Sequence, residues 1–461
     1  MSIRTRLQAS APSFAREWLA RVESSAIGKR LVRGTFWALA GTIGSRALAL
    51  ASAILAARIL GKMHYGEWGI IQSTVGMFGT LAGFGMGTTA AKFIGELRTT
   101  DPTRAGKVIA LSSGVSWVAG CALAALLALG SSWLSEHALS APSLTGSLQL
   151  SSFLLLLSGV NGAQTGALSG FEAFKSVARI NLLTGVLSFP LTVISAYWFG
   201  VAGIVVGTSL GQAIGCYLNF LALRRVAKSN GVPISYFSCM DELPTLWKFS
   251  VPAVLTQVLI SGVNWLAAAM LVRQPNGFAE MGVFNAANQW FNALIWLPYV
   301  VNSVSLPMLA ERLGANDNRG AVSLLKMSVR MNAAVALPVV GVGCLLSPYI
   351  MMTYGSGFQA SWPTLSVVLI NAGLLALVMP VGQVMSARGH MWLGFSSNLA
   401  WALVFLGMNI FLAGWAAFGL ASARLFAYAV HGLFVVVYTI AFVNGHRASR
   451  KKDRVGTLHE A

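Results

Sequence analysis

Apolar runs of about 20 residues, the length a helix needs to cross a bilayer, recur along this chain and restrict its fold more than any other feature. Lipid offers no partner to an open strand edge or an irregular backbone, so such runs must close their hydrogen bonds within helices. Composition agrees: 56% of the 461 residues are hydrophobic and 10% are charged, against roughly a quarter charged in soluble domains. The chain is therefore expected to be an all-α integral membrane protein of about 12 transmembrane helices. Expected spans cover 33–57, 68–91, 108–130, 148–170, 177–199 and 201–223, then 247–272, 281–309, 329–348, 364–386, 392–414 and 418–443.

A net charge of +18 raises the question of nucleic acid. That partner is excluded, because the basic residues are scattered through short loops between apolar runs and form no basic domain. Their distribution instead orients the chain. With the N-terminus in the cytoplasm and sides alternating, all but five of the 32 basic residues fall on the cytoplasmic side. The five are Arg46, Arg58, Lys62, Arg273 and Arg424. By the positive-inside rule both termini are cytoplasmic, as in a multi-pass protein of a bacterial inner membrane. Residues 1–30 do not read as a cleaved signal, since their apolar residues are scattered among Arg4, Arg6, Arg16 and Arg21. Phe14, Trp18, Leu19 and Val22 share one helical face, compatible with an interfacial helix or with a disordered tail. Cys121, Cys216, Cys239 and Cys344 are isolated and have no metal-ligand spacing.

An internal repeat organises the spans. Tyr65-Gly66-Glu67-Trp68-Gly69-Ile70 precedes the second span, and Phe278-Ala279-Glu280-Met281-Gly282-Val283 precedes the eighth. Beyond those spans Glu96, Asp101 and Arg104 are matched by Glu311, Asp317 and Arg319. The matches fall in order on corresponding loops, which indicates duplication of a six-helix unit. Six crossings are even, so both copies enter the membrane the same way and are related by a pseudo-twofold axis along its normal. The expected organisation is a cytoplasmic arm (1–30), an N-terminal six-helix lobe (31–223), a cytoplasmic linker (224–246), a second six-helix lobe (247–443) and a basic tail (444–461). Two such lobes can enclose a cavity that opens alternately to each side, the architecture of a transporter rather than an enzyme.

Five short stretches carry a family resemblance: Gly34-Thr35-Phe36-Trp37, Ser45-Arg46, Ala57-Arg58-Ile59-Leu60-Gly61, Tyr65-Gly66 and Gly83-Phe84-Gly85. They resemble the start of the bacterial polysaccharide flippases, the polysaccharide biosynthesis branch of the multidrug/oligosaccharidyl-lipid/polysaccharide exporter superfamily. The resemblance is clearest over 31–110 and identifies the superfamily better than the substrate. It implies transport of oligosaccharides linked to undecaprenyl pyrophosphate from the cytoplasmic to the periplasmic leaflet, for O-antigen, capsule or exopolysaccharide assembly. It also implies work alongside a polysaccharide polymerase and export machinery, with no cofactor.

Two other branches stay open. Multidrug exporters of the superfamily use carboxylates within the membrane, whereas all 14 acids here lie in loops, in tails or at helix ends. Lipid II flippases share Ser45-Arg46, but their first helix continues to a second arginine and an aspartate, where Ala47 to Ala53 carries no charge here. A membrane glycosyltransferase is disfavoured, because the longest outward loops, 131–147 and 349–363, hold Glu136 as their only acid. No Ser/His/Asp set, phosphate-binding loop or metal-ligand cluster is present, so no catalytic or metal residue is assigned.

The candidate substrate residues are the cations in or at the ends of spans. Arg46, near mid-membrane, should avoid lipid and face the cavity, where a guanidinium fork matches pyrophosphate oxygens. The alternative is a structural pairing with backbone carbonyls. Arg424 in the last span is a second candidate. Arg58 and Arg273, at the outer ends of the first and seventh spans, would receive the pyrophosphate or reach phosphate headgroups. His431 is a candidate for proton coupling, with helix packing as the alternative.

Overall fold

A computed structural model describes residues 26–459 apart from 84, 237–238, 316 and 389–390, with side chains also left aside at 26–40, 244–253, 303–304, 307, 391 and 442–459. Phe14, Trp18, Leu19 and Val22 thus lie outside the described residues, as do the side chains of the basic tail.

The described chain is helical and contains no strand. Helix α1 (Ala26–Ala82) has 57 residues, which at 1.5 Å per residue is about 85 Å of helix and far too long for one crossing. It folds back at Gly61, whose φ of 72° and ψ of 175° leave the helical region. Glycine alone takes that conformation without steric cost, and an added Cβ there would meet nothing within 4 Å, so the backbone rather than crowding demands it. Helix α1 ends at Ala82, and after the left-handed Gly85, α2 (Met86–Leu97) continues the second crossing. The expected second span thus starts earlier than 68 and is interrupted before 91; Gly85, at φ 64°, ends the run that hydropathy alone joins.

Helices α3 (Pro102–Trp133) and α4 (Thr145–Gly170) follow as single crossings. Helix α5 (Phe174–Ser229) is again a double crossing, bent at Gly200 (φ 58°, ψ −133°), the residue left between the fifth and sixth expected spans. Then come α6 (Leu243–Val272), α7 (Gly277–Gly314), α8 (Asn318–Thr353), α9 (Trp362–Ala387), α10 (Met391–Phe411) and α11 (Ala416–His459). Nine helices among the described residues are long and apolar enough to cross a membrane. Two of these are the double crossings, and α7, which carries Asn285, Asn288, Gln289 and Asn292, brings the arrangement to the expected twelve.

Packing divides the helices as the repeat suggests. The tightest associations within the first half are α1 with α5, α4 with α5 and α3 with α4; within the second they are α7 with α9, α8 with α9 and α9 with α11. The halves meet chiefly through α1 against α7 and α6. Exposed aromatic side chains gather at the end of the bundle that holds both kinks: Trp133, Tyr197, Trp198, Tyr349, Trp362 and Trp415. Amphipathic rings at one level mark a membrane–water boundary.

At the opposite end the repeated acids have a local job. Asp101 accepts a hydrogen bond from the backbone N–H of Arg104 (3.1 Å) and so caps α3. Asp317 accepts one from the N–H of Gly320 (2.9 Å) and caps α8. Each satisfies an orphan donor of a first helical turn. The Gly320 N–H, with the Arg312 guanidinium beside it, holds the Asp317 carboxyl below its ordinary pKa. The linker between the halves is fastened to the first of them. Arg104 donates through Nε and Nη2 to Glu242 (2.7 and 2.9 Å), and Lys107 reaches Asp241 at 3.2 Å. Pro233 lies so close that a Cβ on Gly106 would fall 1.8 Å from its carbonyl oxygen.

Candidate functional site

The two copies of the repeated motif meet each other at the kinked end. A Cβ on Gly66 would fall 1.7 Å from the carbonyl oxygen of Phe278, and one on Gly282 would fall 2.1 Å from that of Lys62. Glycine at both positions lets the start of the second crossing and the start of α7 touch backbone to backbone. Fully buried Tyr65 packs edge-on against Phe358 with ring centres 6.3 Å apart. Arg58 donates through Nε to the carbonyl of Thr353, and Lys62 donates to the Ser361 hydroxyl (3.4 Å) while lying over the Phe358 ring. Deeper in, the Trp265 indole N–H donates to the Thr74 hydroxyl at 3.0 Å. All of these contacts bridge the halves, and together they close the bundle at that end.

Below this closure lies a cavity of about 310 Å³. Its wall is mostly the first half: Ser45, Ser52 and Ala56 from the first crossing, Trp68 and Gln72 from the second. Helix α5 adds Ser188 and Thr192 before its bend and Thr208 and Gln212 after it. The second half contributes Gln289 of α7. The lining is hydroxyls, amides and small apolar groups with no charged side chain, chemistry that suits a neutral, hydroxyl-rich ligand. Sequence reasoning did not single out the hydroxyls. A signal for them existed, since Ser188 and Thr192, and likewise Thr208 and Gln212, are four residues apart and share a helix face.

Arg46 sits beside this cavity on the turn that carries Ser45. Its Nη1 donates to the carbonyl of Asn292 at 3.3 Å, and its guanidinium lies 5.3 Å from the centre of the Trp296 ring. Arg46 and Asn292 are each 15 residues from the kinked end of their helices, about 22 Å along the axis and thus well inside the membrane. The cation is exposed and bridges the halves without a carboxylate partner among the described residues. The carbonyl pairing named from the sequence as the structural alternative is thus present, and Arg46 stands next to the cavity without lining it.

The remaining candidates are held by other neighbours. Arg58 belongs to the closure described above. Arg273 ends α6 and is exposed. Arg424 is 5% exposed, with its guanidinium between the rings of Phe284 (5.1 Å) and Phe291 (4.4 Å) and one hydrogen bond from Nη1 to Asn288 (2.9 Å). Its Nε and Nη2 have no partner among the described residues. The Nδ1 of His431 lies 3.3 Å from the carbonyl oxygen of Ser397.

An unneutralised cation in this interior costs more than an apolar side chain of the same shape, so packing alone is a poor reason for Arg424. Arg424→Met is therefore expected to keep or raise the melting temperature of the purified protein while lowering transport. A variant with wild-type transport would assign the residue to packing.

Twelve crossings in two packed halves, closed at one end over a polar cavity, define a multi-pass membrane transporter. The chain belongs to the polysaccharide biosynthesis protein family, whose pattern it matches over residues 31–312. Among curated relatives it is 23% identical, over 256 residues, to the EPS I polysaccharide export inner membrane protein EpsE of Ralstonia solanacearum, covering 54% of this chain and 56% of that protein. The matches span about half the length of the curated relatives. Among solved structures it resembles an inward-facing multidrug resistance MATE family transporter of the MOP superfamily, with TM-score 0.72, 16% identity, and 88% of this chain and 96% of that one covered. It also resembles the lipid II flippase MurJ in an inward closed conformation, with TM-score 0.70, 14% identity and 87% of both chains covered. At these identities the structural likeness establishes the fold alone.

Proposed function

We propose that the protein is a flippase, not an enzyme, that carries oligosaccharide repeat units linked to undecaprenyl pyrophosphate from the cytoplasmic to the periplasmic leaflet. The observation that carries this reading is Arg46. A guanidinium held deep in the membrane, between the halves, next to a cavity of hydroxyls and amides and without a carboxylate, is a receptor for an anionic head that bears neutral sugars. Cation-coupled drug efflux would place an acid in that cavity. Membership of a polysaccharide biosynthesis family and similarity to a polysaccharide export protein support the same substrate class.

In this reading the lobes are residues 31–223 and 247–443, joined by the linker 224–246, and the charge distribution places both termini in the cytoplasm of an inner-membrane protein. The closed, kinked end is then periplasmic, and the structure corresponds to an inward-facing state that loads from the cytoplasmic leaflet. The cavity is at the lower end of the volume usual for a small-molecule pocket, so the proximal sugar occupies it, the pyrophosphate lies at Arg46 beside it, and the rest of the repeat unit extends beyond. Arg58 and Arg273 would meet the pyrophosphate once the outer closure parts, Arg424 would add positive potential, and His431 would couple a proton. Polymerase and export machinery would act on the product.

Deleting the gene in a strain without a paralogue is expected to abolish the polymer and trap linked repeat units on the cytoplasmic leaflet. Detection of the trapped species by mass spectrometry, with rescue by the wild-type chain, checks it; normal polymer in the clean deletion sinks the reading.

A further inference from the structure

A second and larger cavity lies away from the first, on the first half, at the end opposite the kinks. It is a groove of about 590 Å³ between α3, the last turns of α5 and the linker segment 231–236, with α4 as its floor. Its two ends differ in chemistry. Arg224 and Lys228, one helical turn apart near the C-terminus of α5, mark one end. From there the groove passes Phe220 and Leu223 and runs along α3 from Ile109 to Trp117, about 12 Å of helix pointing into the bilayer.

Three observations argue against reading the basic end as an ordinary solvated face. First, the neighbouring cations are neutralised: Arg98 pairs with Glu172, Arg104 with Glu242 and Lys107 with Asp241. Arg224 and Lys228 make no ion pair among the described residues, and the Arg224 guanidinium instead lies over Phe220, 4.4 Å from its centre. Second, Gln164 lines the groove at 7% exposure with an Oε1 that has no hydrogen-bond partner among the described residues. A buried orphan acceptor is costly unless something donates to it. Third, depth matches. Arg224 is five residues from the C-terminus of α5 and Gln164 six from that of α4, so both lie about 8–9 Å inside their helix ends. Exposed Tyr236 flanks the basic end with a ring suited to a headgroup boundary, whereas exposed Trp117, 15 residues into α3, stands at acyl-chain depth.

We propose that this groove binds one anionic phospholipid of the surrounding leaflet, of the phosphatidylglycerol type. Arg224 and Lys228 hold the phosphate, a headgroup hydroxyl donates to Gln164 Oε1, and an acyl chain lies along Leu223, Ile109 and Trp117. The site is separate from the transport cavity and does not depend on which substrate the cleft carries.

The test is lipid retention by the purified full chain in native mass spectrometry after exchange into phosphatidylglycerol, phosphatidylcholine or inorganic phosphate. A single tightly retained phosphatidylglycerol is expected, with neither phosphatidylcholine nor phosphate substituting for it. Retention should fall about tenfold or more in R224A/K228A, as two basic side chains near an anionic headgroup imply. It should also fall in Trp117→Ala, which leaves the cations in place. Arg225→Ala removes an adjacent exposed cation outside the groove and should retain the lipid as wild type does. Equal loss in Arg225→Ala, unchanged retention in the double variant, equal binding of phosphatidylcholine, or displacement of the lipid by phosphate alone would each overturn the proposal.

Discussion

Gly66→Ala is expected to stop transport by preventing the kinked end from closing. The added carbon would fall 1.7 Å from the Phe278 carbonyl oxygen. Both partners are backbone, so no side chain can swing aside, and the second crossing and α7 must separate. Overpacking of this kind costs about 1–3 kcal/mol, which at about 1.4 kcal/mol per decade shifts the balance between closed and open states about five- to a hundredfold. The change falls on one state only, because the contact exists only when the halves meet there. Gln289 lines the cavity beneath, so a cysteine placed there by Gln289→Cys reports the opening. In Gly66→Ala it should react with an impermeant maleimide added outside intact cells, and polymer export should fall with it. Unchanged labelling together with normal export would remove the closure from the mechanism.

Arg46→Ala should reduce export about tenfold or more while leaving the protein folded. The side chain is exposed, and its loss removes one hydrogen bond to a carbonyl, worth about 1 kcal/mol, and one ring contact. No buried counter-charge is stranded. Arg46→Lys should recover part of the activity, since an ammonium keeps the charge but not the planar fork that grips two phosphate oxygens. Melting temperature and membrane level, measured beside export, separate the roles: wild-type export in Arg46→Ala with intact protein would make the residue a strut between the halves, resting on Asn292 and Trp296.

Crossings and duplication were legible in the sequence because both are carried by local signals, apolar length and repeated loop residues. Helix ends were less so. Helix α8 begins at Asn318, before the apolar run that starts near 329, since Arg319 and Lys326 ride on a helical extension that hydropathy cannot register. The capping role of Asp101 and Asp317 was in plain view as a repeated acid, but a cap is recognised only once the turn it closes is known. The aromatic walls of Arg424 come from Phe284 and Phe291, on a helix more than a hundred residues earlier. No one-dimensional pattern brings them to it. The cavity's hydroxyls were hidden for a related reason: serine and threonine in a membrane helix commonly bond to their own backbone, as Thr208 does to Ile204, and only the fold tells which also face a space.

The two ends of the bundle are fastened by different forces. Carboxylate–cation pairs secure the linker at one end, whereas the kinked end is joined across the halves by glycine–carbonyl contacts, buried rings and cations resting on neutral oxygens. Added electrolyte weakens the first kind and barely touches the second. In the proposed orientation this end is the periplasmic door, insulated from the ionic strength of the medium that a cell envelope must tolerate.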